Sequence, residues 1–282
     1  GVVAVGAGVA GATPALAAAD AGLEVALLSK GNLEESNTLY AQGGVAAGLA
    51  GGDSFEAHLA DTMAVGCGLS ERAVVDSLVR GAPAAIASLE KRGAHWDRRR
   101  DGNFDLSREG GHSHPRVIHA RGDATGREIQ ATLGSAVLAH PRITVFADTF
   151  VIDLLCAHDG RVVGALVRTA RGDLAVFSAG SLVLATGGAG QLYRETTNPA
   201  IATGDGVAIG FRAGAVVRDL EFFQFHPTLL YIAGAARVLT SEILRGAGGI
   251  LRDRNGERFM ERFPGAELAP RDVVSRAIFE RM

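Results

Sequence analysis

The sequence predicts an α/β fold built on a parallel sheet, and three observations carry that prediction. Residues 1 to 5 form a short apolar run, 9 to 21 are alanine-rich and helical, and 24 to 28 form a second apolar run, so the chain opens with a βαβ unit. Between the first strand and the helix stands Gly6-Ala7-Gly8-Val9-Ala10-Gly11, a GxGxxG turn in the context that such a turn requires. Farther on, the buried run 182 to 185 ends in Thr186-Gly187-Gly188, another strand closed by a glycine turn. Together these describe a Rossmann-type domain.

The remaining elements follow in order. Apolar periodicity predicts helices over 54 to 65 and 71 to 92, the second with a stripe of Val75, Leu78, Val79, Ala82, Ile86 and Leu89 and a kink at Pro83. Residues 126 to 139 read as a helix, and 143 to 146, 151 to 156, 161 to 169, 174 to 177 and 182 to 185 as strands. This run of strands is expected to form a small antiparallel sheet inserted before the chain returns to the parallel one. A helix spans 203 to 213, and beyond Leu220 the pattern becomes less regular and richer in Arg and Phe, which places a domain boundary there. The chain opens without Met and stops within a helical pattern at Phe279-Glu280-Arg281-Met282, so a piece of a longer protein is expected.

With 282 residues, 47% of them hydrophobic and 21% charged, the chain has enough apolar material for a large core. Its net charge of -3 offers no general attraction to nucleic acid or anionic membranes. No apolar run reaches the roughly 18 residues of a membrane span. Cys67 and Cys156 lack CxxC spacing, so neither a disulfide framework nor a structural zinc site is expected, and a reducing cytoplasm fits.

Within the GxGxxG turn, Gly6 makes the bend, Gly8 admits a pyrophosphate, and Gly11 lets helix and strand pack, while the helix N-terminus turns its positive end to the phosphates. The carboxylate expected at the end of the second strand is missing, and Ser29-Lys30 stands in its place. NAD and FAD both fit such a turn. The segment Ser36-Asn37-Thr38-Leu39-Tyr40-Ala41-Gln42-Gly43-Gly44 is polar, glycine-terminated and too irregular for helix or strand. It suits a loop laid along an isoalloxazine ring, and its plainer reading is an ordinary glycine loop.

Residues 107 to 121 hold three of the eight histidines, three arginines and the single carboxylate Glu109 around two glycines. Cationic and hydrogen-bonding groups around one acid suit an anionic substrate that must lose a proton. The spacing of His112, His114 and His119 matches no standard metal-ligand pattern, so no metal is expected. Arg98-Arg99-Arg100 reads as a solvated charge run and Trp96 as packing.

The motifs GAGVAG at 6 to 11, SNTLYAQGG at 36 to 44, SREGGHSHPRVIHARGDATGRE at 107 to 128, LATGGAG at 184 to 190, TTNPAIATGDG at 196 to 206, EFFQFHPTLLY at 221 to 231, LRGAGGIL at 244 to 251 and ELAPRDVVSRAI at 267 to 278 cover nearly the whole chain. In this order they resemble the succinate dehydrogenase/fumarate reductase flavoprotein superfamily, and within it the chain is most similar to the L-aspartate oxidases. Membrane-complex members join FAD covalently through a histidine before the Thr of the AQGG loop. Asn37 stands at that position here, which implies a non-covalent flavin. The Arg-Glu-Gly-Gly-His-Ser-His run resembles the aspartate oxidase signature, and Glu109 has a reason if the substrate carries an ammonium group.

The resemblance implies FAD contacts from the glycine turn, from Ser29 and Lys30, from Asn37 through Gly44, and from Phe150, Val151, Thr186, Gly187 and Asp205. It implies carboxylate clamps from Arg271 in Ala269-Pro270-Arg271-Asp272-Val273 and His226 in Gln224-Phe225-His226-Pro227-Thr228. Arg offers a bidentate fork to a carboxylate, and the matching arginine of the relatives is also implicated in proton transfer. By itself, His226 reads equally well as a hydrogen-bonded core histidine. Glu109 is implied to orient the substrate ammonium and assist its deprotonation, with His112, Ser113, Thr240 and Glu242 helping to bind substrate and with His114 and His119 supporting the loop. Residues 242 to 245 read as a helix end near a hinge. Phe223 and Leu229 depart from the smaller side chains usual in the family.

On this resemblance, residues 1 to 220 are a FAD-binding domain and 221 to 282 the first part of an α+β capping domain that receives substrate. The implied reaction oxidises L-aspartate to iminoaspartate, with oxygen or fumarate reoxidising the flavin, as the first step of quinolinate and NAD synthesis. Quinolinate synthase is the partner it allows. A soluble fumarate reductase, a succinate dehydrogenase flavoprotein subunit, and a non-catalytic partial flavoprotein are the rivals.

Overall fold

The computed structural model describes every residue except 231 and 233 to 237, so the last residue of the 221 to 231 motif lies outside the described residues. In chain order the elements are β1 (Val2–Val5), α1 (Val9–Asp20), β2 (Val25–Leu28), β3 (Val45–Ala46), α2 (Phe55–Val65), α3 (Arg72–Lys91), β4 (Leu106–Ser107), β5 (Val117–Ile118), α4 (Thr125–Ala139) and β6 (Ile143–Phe146). They continue with β7 (Phe150–Cys156), β8 (Val162–Arg168), β9 (Leu174–Ser178), β10 (Ser181–Leu184), α5 (Asp205–Arg212), β11 (Leu229–Leu230), β12 (Val238–Leu239), α6 (Ile243–Gly246) and α7 (Arg271–Phe279). The chain divides into two compact units, Gly1–Ala41 with Gly126–Phe222, and Gln42–Thr125 with Phe223–Met282.

The first unit carries a four-stranded sheet of order β10-β1-β2-β6 with every pair parallel. Strands buried on both faces read as continuous apolar runs, as Val2–Val5 and Val25–Leu28 do. The alanines of α1 keep that helix thin, and Ala12, Ala15, Leu16 and Ala19 are buried. Val3, Val5 and Leu28 share a core with Val151, Ala165, Val167 and Ile209. A separate antiparallel sheet, β7-β8-β9, is inserted before β10 returns to the parallel sheet beside β1. One expectation is corrected: residues 143 to 146 do not belong to the antiparallel insert but form β6, which pairs in parallel with β2. A four-residue apolar run carries no information about its partner, and β6 reaches one through a contact far away in sequence.

The second unit holds residues 42 to 125, expected with the first domain, together with 223 to 282. The physical reason is that 42 to 125 build their own elements: a small antiparallel sheet of order β3-β5-β4, and an α2 and α3 pair closed over Leu59, Val75 and Val79. Helix α3 runs through Pro83 as one element. Around α7, Phe259, Met260, Ala269, Val274 and Ala277 form another cluster. Among the described residues no helix is long and apolar enough to cross a membrane.

Candidate cofactor cleft and ionic site

The carboxyl ends of β1, β2 and β10 open on a cleft in the first unit, the place where open parallel sheets take ligands. Two glycines make it possible. Gly6 has φ of 112°, and a Cβ there would lie 2.1 Å from the Ala185 carbonyl oxygen; a Cβ on Gly11 would lie 1.8 Å from the Gly6 carbonyl oxygen. At the mouth of α1 the Val9 N–H donates to Thr38 Oγ1 at 3.0 Å, which ties the 36 to 41 segment to the glycine turn. Lys30 Nζ donates to Thr203 Oγ1 and to Asp205 Oδ2, each at 2.6 Å. A carboxylate therefore stands beside the end of β2 after all, but it comes from the first residue of α5.

Gly6, Ala7, Gly8, Val9, Ala10, Ser29, Lys30, Asn37, Thr38, Phe150, Val151, Thr186, Gly187 and Asp205 all line this cleft. Gly11 lies beneath it against Gly6. Leu39, Tyr40 and Ala41 are not among the lining residues; Tyr40 is 55% exposed, and Ala41 is tied through its backbone to Thr38 and Gly126. Gln42, Gly43 and Gly44 belong to the second unit, where a Cβ on Gly44 would lie 2.4 Å from the Ile118 carbonyl oxygen and Gln42 Oε1 is buried with no hydrogen-bond partner among the described residues. Ser36, the first residue of the loop expected along the flavin, also lines the cleft, and sequence reasoning missed Glu35 and Thr149. It also missed Gln130 of α4, whose buried amide donates to the Ala7 and Leu33 carbonyls and accepts from Ser36 Oγ. Gln130 is one of several polar residues in this helix, beside Arg127, Glu128, Thr132 and Ser135, so the sequence did not mark it out.

The ionic site lies within the second unit. Arg271, the first residue of α7, donates Nε to Glu242 Oε2 at 2.7 Å and Nη1 to Gln224 Oε1 at 2.9 Å. Arg245 Nη2 sits 3.0 Å from Glu242 Oε1, an ion pair by distance whose angles do not make a hydrogen bond, while its Nη1 donates to the Glu267 carbonyl at 2.7 Å. Glu242, expected to bind substrate, is buried between two arginines and starts α6 rather than ending a helix. A Cβ on Gly110 would lie 2.8 Å from Glu242 Oε1, so the Gly110-Gly111 pair lets the Glu109 segment approach this cluster.

Glu109 is nearly enclosed, and burial pushes its carboxyl above the usual range, with Glu242 adding to the rise and Arg271 and Arg245 opposing it. Burial likewise holds His226 below the usual imidazole value, and its Nδ1, 2.8 Å from the Thr228 carbonyl, accepts from the Thr228 N–H at 3.2 Å, which fixes the ring and leaves the ring proton on Nε2. Thr240 lies across a backbone pairing with Thr228. The other two expected substrate ligands serve a neighbouring cluster. The Ser113 N–H and Oγ both donate to Asp61 Oδ2, at 2.8 and 2.7 Å, and His112 Nδ1 lies 3.1 Å from Arg116 Nη1. Arg116 is wholly buried and reaches both carboxylates of Asp53 and Asp61, none of which sequence reasoning selected.

A cleft where β-carbons would clash with the backbone, set between strand ends and a helix N-terminus, defines a dinucleotide-binding α/β domain. The chain belongs to the FAD binding domain family, whose model matches residues 1–282, and its cofactor is FAD. It is 47% identical to an L-aspartate oxidase of Streptomyces coelicolor over 100% of this chain and 50% of that protein. It is also 45% identical to an L-aspartate oxidase of Bacillus subtilis over 92% of this chain and 48% of the relative. Among solved structures, a variant of E. coli quinol fumarate reductase superposes with a TM-score of 0.91 at 39% identity, covering 99% of this chain and 50% of the other. The chain thus spans about half the length of the curated relatives it matches.

Proposed function

We propose that the full-length protein oxidises L-aspartate to iminoaspartate with a non-covalently held FAD and passes the electrons to oxygen or fumarate. One observation carries the reading: a buried carboxylate, Glu109, faces a cluster of two arginines held by Glu242. A dicarboxylate needs cationic clamps, and an amino acid also needs a group that accepts a proton from its ammonium. Arg271, fixed by Glu242 and Gln224, serves as a carboxylate fork. His226, fixed through Thr228, gives a hydrogen bond to the other carboxylate. Glu109, with its affinity for protons raised, orients the ammonium and takes its proton.

Gly6, Gly8 and the start of α1 hold the pyrophosphate, and Lys30 with Asp205 orders the adjoining part of the cleft. FAD, when bound, accepts the hydride. We assign residues 1 to 220 to flavin binding and 221 to 282 to the capping domain. The reaction belongs to the first step of quinolinate and NAD synthesis in the cytoplasm, with quinolinate synthase as the partner.

The full-length protein should release flavin on heating and show aspartate-dependent peroxide formation that exceeds its succinate-dependent dye reduction. No aspartate oxidation by flavin-loaded protein would refute the reading. Succinate activity alone would favour a dicarboxylate reductase, the alternative supported by the likeness to E. coli quinol fumarate reductase.

A further inference from the structure

In the β3-β5-β4 sheet, β4 and β5 pair antiparallel with Ser107 opposite Val117 and Leu106 opposite Ile118, and the side chains of Ser107, Glu109 and His119 meet beside this pair. His119 Nε2 lies 2.6 Å from Ser107 Oγ and 3.7 Å from Glu109 Oε1. Both side chains are nearly enclosed, 8% exposed for His119 and 12% for Glu109. Glu109 Oε1 and His119 Nδ1 are each buried with no hydrogen-bond partner among the described residues. Gly44 presses on the ring, for a Cβ there would lie 2.9 Å from its Cε1. A buried polar atom without a partner destabilises the fold, so two such atoms on adjoining side chains ask for a reason.

We infer that Glu109, His119 and Ser107 form a proton relay in which His119 receives the proton that Glu109 takes from the substrate ammonium. The inference rests on the aspartate reading above. At the start His119 carries its ring proton on Nδ1, and Nε2 accepts from the Ser107 hydroxyl. The substrate ammonium loses one proton to the Glu109 carboxylate and becomes an amine. Glu109 then gives that proton to Nε2, the Ser107 hydroxyl turns so that its oxygen accepts from the new Nε2–H, and Glu109 is again a carboxylate. No electrons move in these steps. Burial raises Glu109 and lowers His119, which brings their proton affinities towards each other and eases transfer. The charged groups that bear on the pair are Glu242, Arg271 and Arg245 for Glu109, and Asp97 and Asp105 for His119.

The test uses the full-length flavoprotein with His119→Asn and Ser107→Ala, each checked for flavin content and thermal unfolding. His119→Asn should lower aspartate kcat/KM near neutral pH by up to about 100-fold, the low end for general-base catalysis, because His119 acts through Glu109. The loss should shrink as pH rises and the free amine form of aspartate appears in solution. Fumarate reduction, which needs no ammonium deprotonation, should stay within about threefold, and Ser107→Ala should give a smaller loss with the same pH dependence. A second readout needs no turnover: aspartate binding should release or shift protons, followed with an indicator dye, differently in wild type and in His119→Asn, whereas succinate binding should not distinguish them. Equal losses in both reactions, or an unchanged pH profile, would overturn the relay and leave the aspartate reading standing. A wild type that does not oxidise aspartate overturns both.

Discussion

Replacing Arg116 with Met should destabilise the second unit and slacken the segment that carries Glu109. Arg116 is 0% exposed, and its Nε and Nη2 donate in a fork to Asp53 at 2.9 and 2.8 Å while Nη1 donates to Asp61. The Asp53 carboxylate is itself fully buried, so the variant strands a charge in the interior. Breaking a buried ion pair from one side costs about 3 to 5 kcal/mol. At roughly 2 to 4 °C per kcal/mol for a chain of this size, Tm should fall by roughly 6 to 20 °C. The Arg116 hydrogen bond holds Asp53 below the usual carboxylate range. A depressed acid contributes stability above its unfolded pKa that is lost as pH falls through the folded value, so the gap between wild type and variant should close on acidification below about pH 4. Urea unfolding across pH, with Asp53→Asn added to the variant to recover part of the loss, measures each piece. A variant within about 1 kcal/mol of wild type at neutral pH would show that the cluster is solvated or replaceable and would refute the reasoning.

Further expectations concern the two sites directly. Glu109→Gln should lower aspartate kcat/KM by about 10²- to 10⁴-fold and fumarate reduction far less, and equal losses would contradict its assigned role. Because burial raises Glu109, its ionised form weakens the fold as pH rises through the folded pKa, so the same variant should gain stability over wild type at alkaline pH in denaturant melts. Arg271→Lys, which loses the fork to Glu242 and Gln224, should reduce kcat/KM for dicarboxylates by about 10- to 100-fold, equivalent to a charged hydrogen bond of about 1.5 to 3 kcal/mol. Gly11→Ala places a Cβ against the Gly6 carbonyl, and purified variant protein should carry little flavin by absorbance.

The sequence revealed most where structure is local. The βαβ opening, the glycine turn and the helices 54 to 65, 71 to 92 and 126 to 139 were legible because a strand, a helix or a tight turn is encoded within a few neighbouring residues. Partner choice was not. Residues 143 to 146 read as a strand, but nothing in Ile143-Thr144-Val145-Phe146 says that β2 lies alongside. Arg116 looked like one more basic residue among three, since Asp53 and Asp61 lie 63 and 55 positions away. Ser113 was visible in a suggestive motif and Glu242 at a helix end, while their commitments, to Asp61 and to two arginines, depend on side-chain direction that spacing does not give. The carboxylate that stands at the end of β2, Asp205 held by Lys30, lies 175 positions later, beyond the reach of any local pattern.

The backbone link between Ala41 and Gly126 bears on how the chain finds this fold. The Gly126 N–H donates to the Ala41 carbonyl at 3.0 Å, and a Cβ on Gly126 would lie 1.9 Å from the Thr38 carbonyl, so the chain leaves the first unit and re-enters it at one pinched point. Without that pinch, pairing β2 with β6 means closing a loop of roughly a hundred residues; once it forms, the route shortens to roughly thirty, and at ~0.6 kcal/mol per doubling the entropy saved is about 1 kcal/mol. Segment 42 to 125 can therefore collapse early and act as a staple, and the parallel sheet is left with a short search for its edge strand.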